Sequence, residues 1–583
     1  MSSTPSTDRH SEINLRPSLR QRLNSLLQDR EDQVFLVLSL VIGALAGLTV
    51  VAFILLTERL GMRIYPVGGP AWRRIAMPVA GSLAMGVLLY RYFPDARGSG
   101  VPQTKAALYA RDGFISLRTV LGKFGCTAAT LASGIPLGRE GPSVQVGAGI
   151  ASILGRHLGL RPEKVKALIP VGAAAAIAAA FNTPMAAVLF ALEEVVGDLN
   201  APVLGSVVLA SATSWAVLRL LLGNNPLFRV PSYELVNPLE LIIYAVLGVA
   251  GGFLSVAFTK LLLAMRKRFL LMPRSTRWWH PVVGGVTVGL MGLFVPQVLG
   301  VGYSYVGQAL QSDMALKLMI LLIVLKLFAI TVSYASGNAG GIFGPSLFLG
   351  AMLGGAVGTI AHRWLPAYTA APGAYALVGM GALFAGVVRA PMTSVLMIFE
   401  MTRDYTVIVP LMIANLASLF ISSRFQPAPI YEALAHQDGI HLPSAKSRDD
   451  FRGHSVREVM RAAPEIFPAQ LTVAEALQRA HSSSFRSWLV QDEGSIVGVL
   501  SRAALEKAQA EQQAGHTLGS LFESLNFPHV HADQPIHFAL ERMSRAHIDV
   551  LPVVNRADIN KLEGVVTLRD VLDSYGVDSV GSA

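Results

Sequence analysis

The sequence predicts an all-α polytopic membrane protein made of two inverted-topology repeats with broken and re-entrant helices, followed by a separate cytoplasmic α+β domain. Three observations predict it: a composition poor in charge, a run of apolar segments reaching about residue 427, and one order of motifs that occurs twice. Of the 583 residues, 52% are hydrophobic and only 15% are charged. A soluble chain carries roughly 25% charged residues, so much of this surface must face lipid. The 54 glycines agree, because glycine is more frequent in membrane helices than in soluble ones.

The first spanning element is residues 33–57, which carry no charge and are long enough to cross a hydrocarbon core of about 30 Å. The polar tail before it, residues 1–32, holds Arg9, Arg16, Arg20, Arg22 and Arg30, and these favour a cytoplasmic N-terminus. No short apolar stretch with a small-residue cleavage site follows, so no signal peptide is expected. Further apolar segments are residues 75–90, 203–222, 241–259, 282–299 and 318–332. Residues 144–154 and 347–360 are cut short by Gly and Pro and read as broken or re-entrant helices. The single cysteine, Cys126, allows no internal disulfide and suits core packing. The net charge of +10 is explained by juxtamembrane Arg and Lys, and no nucleic-acid partner is expected.

The repeats run over about 33–224 and 238–432. The stretch VGAAAAIAAAFNTPMAAVLFALEE from Val171 returns as VGMGALFAGVVRAPMTSVLMIFEM from Val378, so that Pro184 matches Pro391 and Glu193 matches Glu400. GREGPSVQVG from Gly138 returns as GIFGPSLFLG from Gly341, and Lys123 returns as Lys326. Internal repeats in a membrane chain mark transporters with a site at the repeat interface.

Three loops share one design: GSGVP at 98–102, GREGP at 138–142 and GIFGP at 341–345. Glycines let the backbone bend and approach a ligand, and Pro suits the first turn of the helix that follows. Helix starts carry unpaired N–H groups and partial positive charge. Several aimed at one point bind an anion.

A polar linker at 433–454 leads to a tail at 455–583 with two similar units, about 455–508 and 517–576. Each reads as a helix, a strand pair and a final helix.

On these motifs the sequence resembles the CLC family of chloride channels and chloride/proton exchangers, over about residues 33–432. The tail resembles the tandem CBS domains that many members carry. The resemblance implies chloride transport rather than enzyme chemistry. It implies that Ser99 and Tyr431 offer hydroxyls to a central chloride, and that Ile342 and Phe343 offer backbone N–H groups. It makes Glu140 the gating glutamate, whose carboxylate takes an anion seat when charged and leaves it when protonated. It makes Glu194 the internal proton-transfer group. With both glutamates present, coupled chloride/proton antiport is expected over a passive channel. An intramembrane carboxylate costs about 2.5–3.5 kcal/mol or more and is a functional candidate by default.

Arg139 reads as a structural ion-pair member, and Glu193 as a structural or solvated helix-end acid. Lys123 and Lys326 read as snorkelling side chains or as a source of positive potential. In the tail, Thr567 and Asp570 match positions where CBS domains contact adenine nucleotides, while the first unit has Ser501 but Ala504. The tail histidines show no metal-ligand spacing, and no cofactor is required. Expected partners are chloride, protons, the lipid bilayer and a second copy of the chain in a homodimer. The expected location is a prokaryotic plasma membrane, with both termini cytoplasmic. The competing readings are a passive chloride channel and, from another class, a membrane-anchored nucleotide sensor. An intramembrane enzyme lacks a nucleophile–base pair, an HExxH motif or a metal cluster.

Overall fold

The computed structural model describes residues 31–64, 69–199, 202–223, 228, 230–231, 233, 235–440, 442, 455–462, 465–483, 485–511, 513–522 and 527–574. The arginines of the expected N-terminal tail and most of the expected linker lie outside these residues. Contacts divide the chain into two units, Met1–Leu442 and Pro443–Ala583. Residues 433–442 therefore belong to the membrane unit and not to the linker.

The first repeat contains α1 (Glu31–Ile64), α2 (Arg73–Arg91), α3 (Val101–Ala110), α4 (Leu117–Ala132), α5 (Glu140–His157), α6 (Pro162–Phe181), α7 (Pro184–Phe190) and α8 (Leu204–Leu222). The second contains α9 (Glu240–Leu271), α10 (His280–Phe294), α11 (Tyr303–Leu310), α12 (Leu316–Ala335), α13 (Phe343–Trp364), α14 (Pro372–Val388), α15 (Pro391–Thr402) and α16 (Ile408–Phe425), in the same order of long and short pieces. A final helix, α17 (Ile430–Gln437), closes the unit. The stops repeat as well. α6 ends at Asn182 and α14 at Arg389, both in the left-handed conformation, with φ of 60° and 65°. Two residues later Pro184 and Pro391 start the next helix, because their fixed φ fits its first turn.

The repeats meet at an isolated antiparallel bridge between Gly138 and Gly341. Two segments related by a two-fold axis and crossing at it must run antiparallel and exchange identical bonds. These do: Gly138 N–H donates to Gly341 O at 2.8 Å, and Gly341 N–H to Gly138 O at 2.7 Å. Among the described residues, seven helices are long and apolar enough to cross a membrane.

Three sequence readings change. The segments 144–154 and 347–360 are not short pieces, but parts of α5 with 18 residues and α13 with 22. Their glycines admit a neighbour instead of breaking the helix. A Cβ on Gly147 would sit 2.3 Å from Gly172 O, and one on Gly350 would sit 2.3 Å from Gly379 O. Such contacts let membrane helices approach backbone to backbone. The segment 282–299 is interrupted: α10 stops at Phe294, and Pro296–Val298 forms a 3₁₀ turn, since Pro cannot continue the helical hydrogen bonding.

The second unit is α+β. It contains α18 (Val456–Val459), β1 (Ile466–Pro468), α19 (Val473–Ser482), β2 (Ser487–Asp492), β3 (Ser495–Ser501), α20 (Arg502–Ala510), α21 (Ile536–Ala546), β4 (Val550–Val554), β5 (Leu562–Thr567) and α22 (Leu568–Ser574). β1 runs parallel to β2, and β2 antiparallel to β3. β4 and β5 form an antiparallel pair. The two expected halves exchange their leading segments. Val456 is buried with Val530, Ile536 and Val566 of the second half, and Arg461 bridges to Val565. Leu518 is buried with Val473, Trp488 and Leu505 of the first half. Each apolar leader fills the other half's core, so neither boundary at 455 nor at 517 marks an independent fold.

Candidate anion pathway and its gate

Three helix starts converge. The loop into α3 turns on Gly98 and Gly100, with φ of +86° and +104°, values that only glycine adopts without strain. A Cβ on Gly100 would also lie 2.1 Å from Gly141 O, so this loop rests directly on the loop that starts α5. The Gly138–Gly341 bridge brings in the start of α13. Ile342 and Phe343 are fully buried there, and helix geometry leaves the Phe343 and Gly344 N–H groups without an intrahelical acceptor. The Phe343 ring is fixed by Phe181, Phe190 and Phe384, at centroid distances of 4.8, 5.6 and 4.4 Å.

Ser99 and Tyr431 are fully buried, and among the described residues neither hydroxyl has a hydrogen-bond partner. An unsatisfied buried hydroxyl costs about 1–3 kcal/mol, so two at one place mark a seat for a polar ligand. They are at one place: the polar neighbours of the Tyr431 phenol are Glu194, Tyr334, Ser99 and Glu140. A chain distance of 332 residues between Ser99 and Tyr431, the difference of their numbers, is thus closed by the fold.

Glu140 is fully buried and is the first residue of α5. Its Oε2 accepts from Gly344 N–H at 3.2 Å, so the carboxylate occupies the start of α13. Its Oε1 accepts from the Tyr303 hydroxyl. Arg139, next to it, reaches away to Glu58 at 3.3 Å. Glu194 is 5% exposed and pairs with Lys105 of α3 at 2.8 Å. It lies in a π-helical turn, Ala191–Val196, a local widening that is frequent at functional sites.

Glu193 is half-buried and is not free. Its carboxylate accepts from the N–H groups of Met392 (3.3 Å) and Thr393 (2.8 Å), at the start of α15. Its repeat partner Glu400 accepts from Met185 (3.1 Å) and Ala186 (2.7 Å), at the start of α7. Each acid caps the other repeat's helix. The two repeat lysines do not snorkel, since both are fully buried. Lys123 Nζ donates to Ala96 O at 3.0 Å and Gly98 O at 2.6 Å, and Lys326 Nζ to Gly300 O at 2.9 Å. They hold the loops that precede α3 and α11.

Sequence reasoning missed Tyr303 and Lys105. The repeat offset carries a signal for Tyr303: Gly98 and Gly100 recur as Gly300 and Gly302, 202 positions on, and Tyr303 opens the helix that follows. Nothing local announces Lys105 beyond a cation six positions after Ser99.

In the tail, Thr567 and Asp570 form a capping pair at the start of α22, with Thr567 Oγ1 donating to Asp570 Oδ2 at 2.7 Å. Arg461, from the exchanged leader, donates to Thr567 Oγ1 at 3.0 Å and pairs with Asp570 at 3.1 Å. Ser501 caps α20, accepting from Ala504 N–H at 3.2 Å. Among the described residues no group of three or more His, Cys, Asp or Glu could hold a metal.

The family model described as voltage gated chloride channel matches residues 80–423, and the CBS domain model matches residues 522–576. A ClcB-like chloride channel protein of Ralstonia nicotianae is 35% identical over 388 residues, covering 65% of this chain and 90% of that protein. The H(+)/Cl(-) exchange transporter ClcA of Vibrio cholerae is 32% identical over 426 residues, covering 71% and 91%. Among solved structures, a slow cyanobacterial Cl-/H+ antiporter is similar with a TM-score of 0.64 and 26% identity, covering 69% of this chain and 97% of that one. A eukaryotic CLC transporter is similar in fold over 92% of this chain and 97% of that one, with a TM-score of 0.59 and 20% identity. By its matched membrane region, its repeated helix order and its converging helix starts, the chain belongs to the voltage-gated chloride channel (CLC) family, whose members are transporters and not enzymes.

Proposed function

We propose that this protein exchanges chloride for protons across the membrane. One observation carries the reading: two buried carboxylates flank one pair of unsatisfied hydroxyls, and one of the two is seated on a helix start suited to an anion. Chloride binds between the Ser99 and Tyr431 hydroxyls and the amides at Ile342 and Phe343. Ionised Glu140 competes for the adjoining seat at Gly344. Once protonated, it loses the charge that held it there, and an anion takes its place. The proton then travels by a separate route to Glu194, whose charge Lys105 balances while it waits. Because one group serves as both anion competitor and proton carrier, movement of one species requires movement of the other. The protein works in the cell membrane as a homodimer with both termini cytoplasmic. An adenine nucleotide at Thr567 and Asp570 would have to displace Arg461.

The test is ion flux into reconstituted vesicles. A chloride gradient drives protons uphill in the intact protein, and Glu194→Gln abolishes proton movement while chloride still flows. Chloride flux with no linked proton movement in the intact protein would establish the passive channel instead, the reading suggested by the name of the Ralstonia relative.

A further inference from the structure

We propose that Tyr303 is a latch for the Glu140 gate: its hydroxyl holds the ionised carboxylate in the anion seat, and chloride arriving from the adjoining pocket must compete with that bond. The inference rests on Glu140 being the gate. It adds a positioning residue that neither the sequence motifs nor the site roles supply.

Two observations place the latch. First, Tyr303 opens α11, and its hydroxyl donates to Glu140 Oε1, while Gly344 N–H holds the other oxygen. The carboxylate, which belongs to the first repeat, is therefore gripped by two elements of the second repeat at once, by a hydroxyl from α11 and an amide from α13. Second, Tyr303 also lines a cavity of about 440 Å³ together with Arg73, Arg74 and Gln297. Arg73 begins α2 and Arg91 ends it, about 27 Å away at 1.5 Å per residue. Arg97, just beyond that far end, lines a different cavity with Asp438. The Tyr303 cavity thus opens at the face opposite to α17, and Tyr303 stands between it and the gate.

The latch is supported from behind. Its ring meets Phe228 edge-on at 5.8 Å, and the Arg139 guanidinium lies 5.8 Å from its centre. Gly302, which precedes it at φ +86°, leaves no room for a side chain: a Cβ would lie 2.7 Å from both Lys326 Nζ and the Phe348 ring. Lys326 in turn holds Gly300 O. The charged and titratable groups around the latch and the gate are therefore Glu58 of α1, Arg73 and Arg74 of α2 across the cavity, Arg139 of the α5 loop, Lys326 of α12 and Tyr431 of α17. Beside these groups, the Tyr303 hydroxyl is the side-chain donor that touches the gate carboxylate among the described residues.

Removing the hydroxyl should leave the seat intact and its occupant weaker. A hydrogen bond to a charged group contributes enough that Tyr303→Phe should raise apparent chloride affinity about five- to tenfold at neutral pH. Calorimetry on the full chain in detergent reads this directly. In a Glu140→Gln background, with no carboxylate to latch, the same change should alter affinity less than about twofold. In vesicles, the acid activation midpoint of chloride flux should move to higher pH in Tyr303→Phe, because protons displace an unlatched gate more easily. Tyr303→Leu, which also lacks the donor, serves as a second variant and should behave alike. Equal affinity changes with and without the Glu140 carboxylate would show a packing role and overturn the latch, as would no change in either background. Absence of chloride-driven proton uptake by the intact protein in the same vesicles sinks the exchange reading alone, since the calorimetric cycle judges the latch independently.

Discussion

Lys123 and Lys326 are fully buried with no carboxylate partner among the described residues, a placement that costs free energy unless the ammonium finds acceptors. Here the acceptors are backbone carbonyls of the two loops that turn into α3 and α11. Lys123→Met should leave the Ala96 and Gly98 carbonyls unsatisfied and destabilise the membrane unit by about 1–3 kcal/mol, read as a lower unfolding midpoint in detergent. Chloride affinity should fall as well, because Gly98 immediately precedes Ser99. An unchanged midpoint and an unchanged affinity would refute this account. At this scale the motif residues were legible, because glycine and proline state their backbone requirements locally. Tyr303 and Lys105 were not, because their partners lie 163 and 89 positions away and no local pattern encodes a contact made by the fold. Lys123 was visible as a repeated cation, but whether it faced lipid, water or a carbonyl depended on helix rotation.

Between elements, the repeat is held by small residues and by exchanged caps. Gly147 with Gly172, and Gly350 with Gly379, bring α5 onto α6 and α13 onto α14. Gly350→Ala would drive a methyl into Gly379 O, and overpacking of this kind costs about 1–3 kcal/mol. Gly125→Ala is the matched control, since a Cβ there meets nothing within 4 Å. Thermal unfolding should separate the two, and equal midpoints would remove the close-approach explanation. The caps make a second prediction. Glu400→Ala should expose the α7 amides at Met185 and Ala186 and cost about 0.5–2 kcal/mol, whereas Glu400→Gln, which keeps the acceptor, should cost less. The sequence showed that Glu193 and Glu400 correspond, but not that each caps the opposite repeat, because that needs the two-fold axis in space. It also misjudged α5 and α13, since the glycines that shorten a soluble helix serve in a membrane helix as packing surfaces.

For the whole molecule, the tail should loosen in acid before neutral conditions trouble it. Glu475 is held below the usual carboxylate range by the Thr472 N–H and hydroxyl, and Asp533 by the Arg556 guanidinium. A depressed folded-state value contributes stability that is present above the unfolded-state value and is lost as pH falls through the folded one. Circular dichroism should therefore show the tail weakening below about pH 4, and Glu475→Gln should blunt that dependence.

The division at Leu442 supports a sharper test of what transport requires. The aligned 71% of this chain covers 91% of the Vibrio exchanger, and the chloride-channel family model, at residues 80–423, lies wholly within the membrane unit. α17 belongs to that unit: Ile430, Tyr431, Leu434 and Ala435 are buried. Gln437 donates to Leu263 O at 3.0 Å, and Arg266 of α9 pairs with Asp438 at 2.5 Å. A chain ended after Leu442 keeps both ties and the Tyr431 hydroxyl, and should retain chloride-driven proton uptake within about twofold of the full chain. A chain ended after Pro429 loses the hydroxyl and both anchors, and its chloride affinity should fall at least about tenfold. If the longer truncation elutes as a folded species yet no longer couples the two ions, the tail is part of the transport machinery, and the assignment of exchange to the membrane unit alone fails.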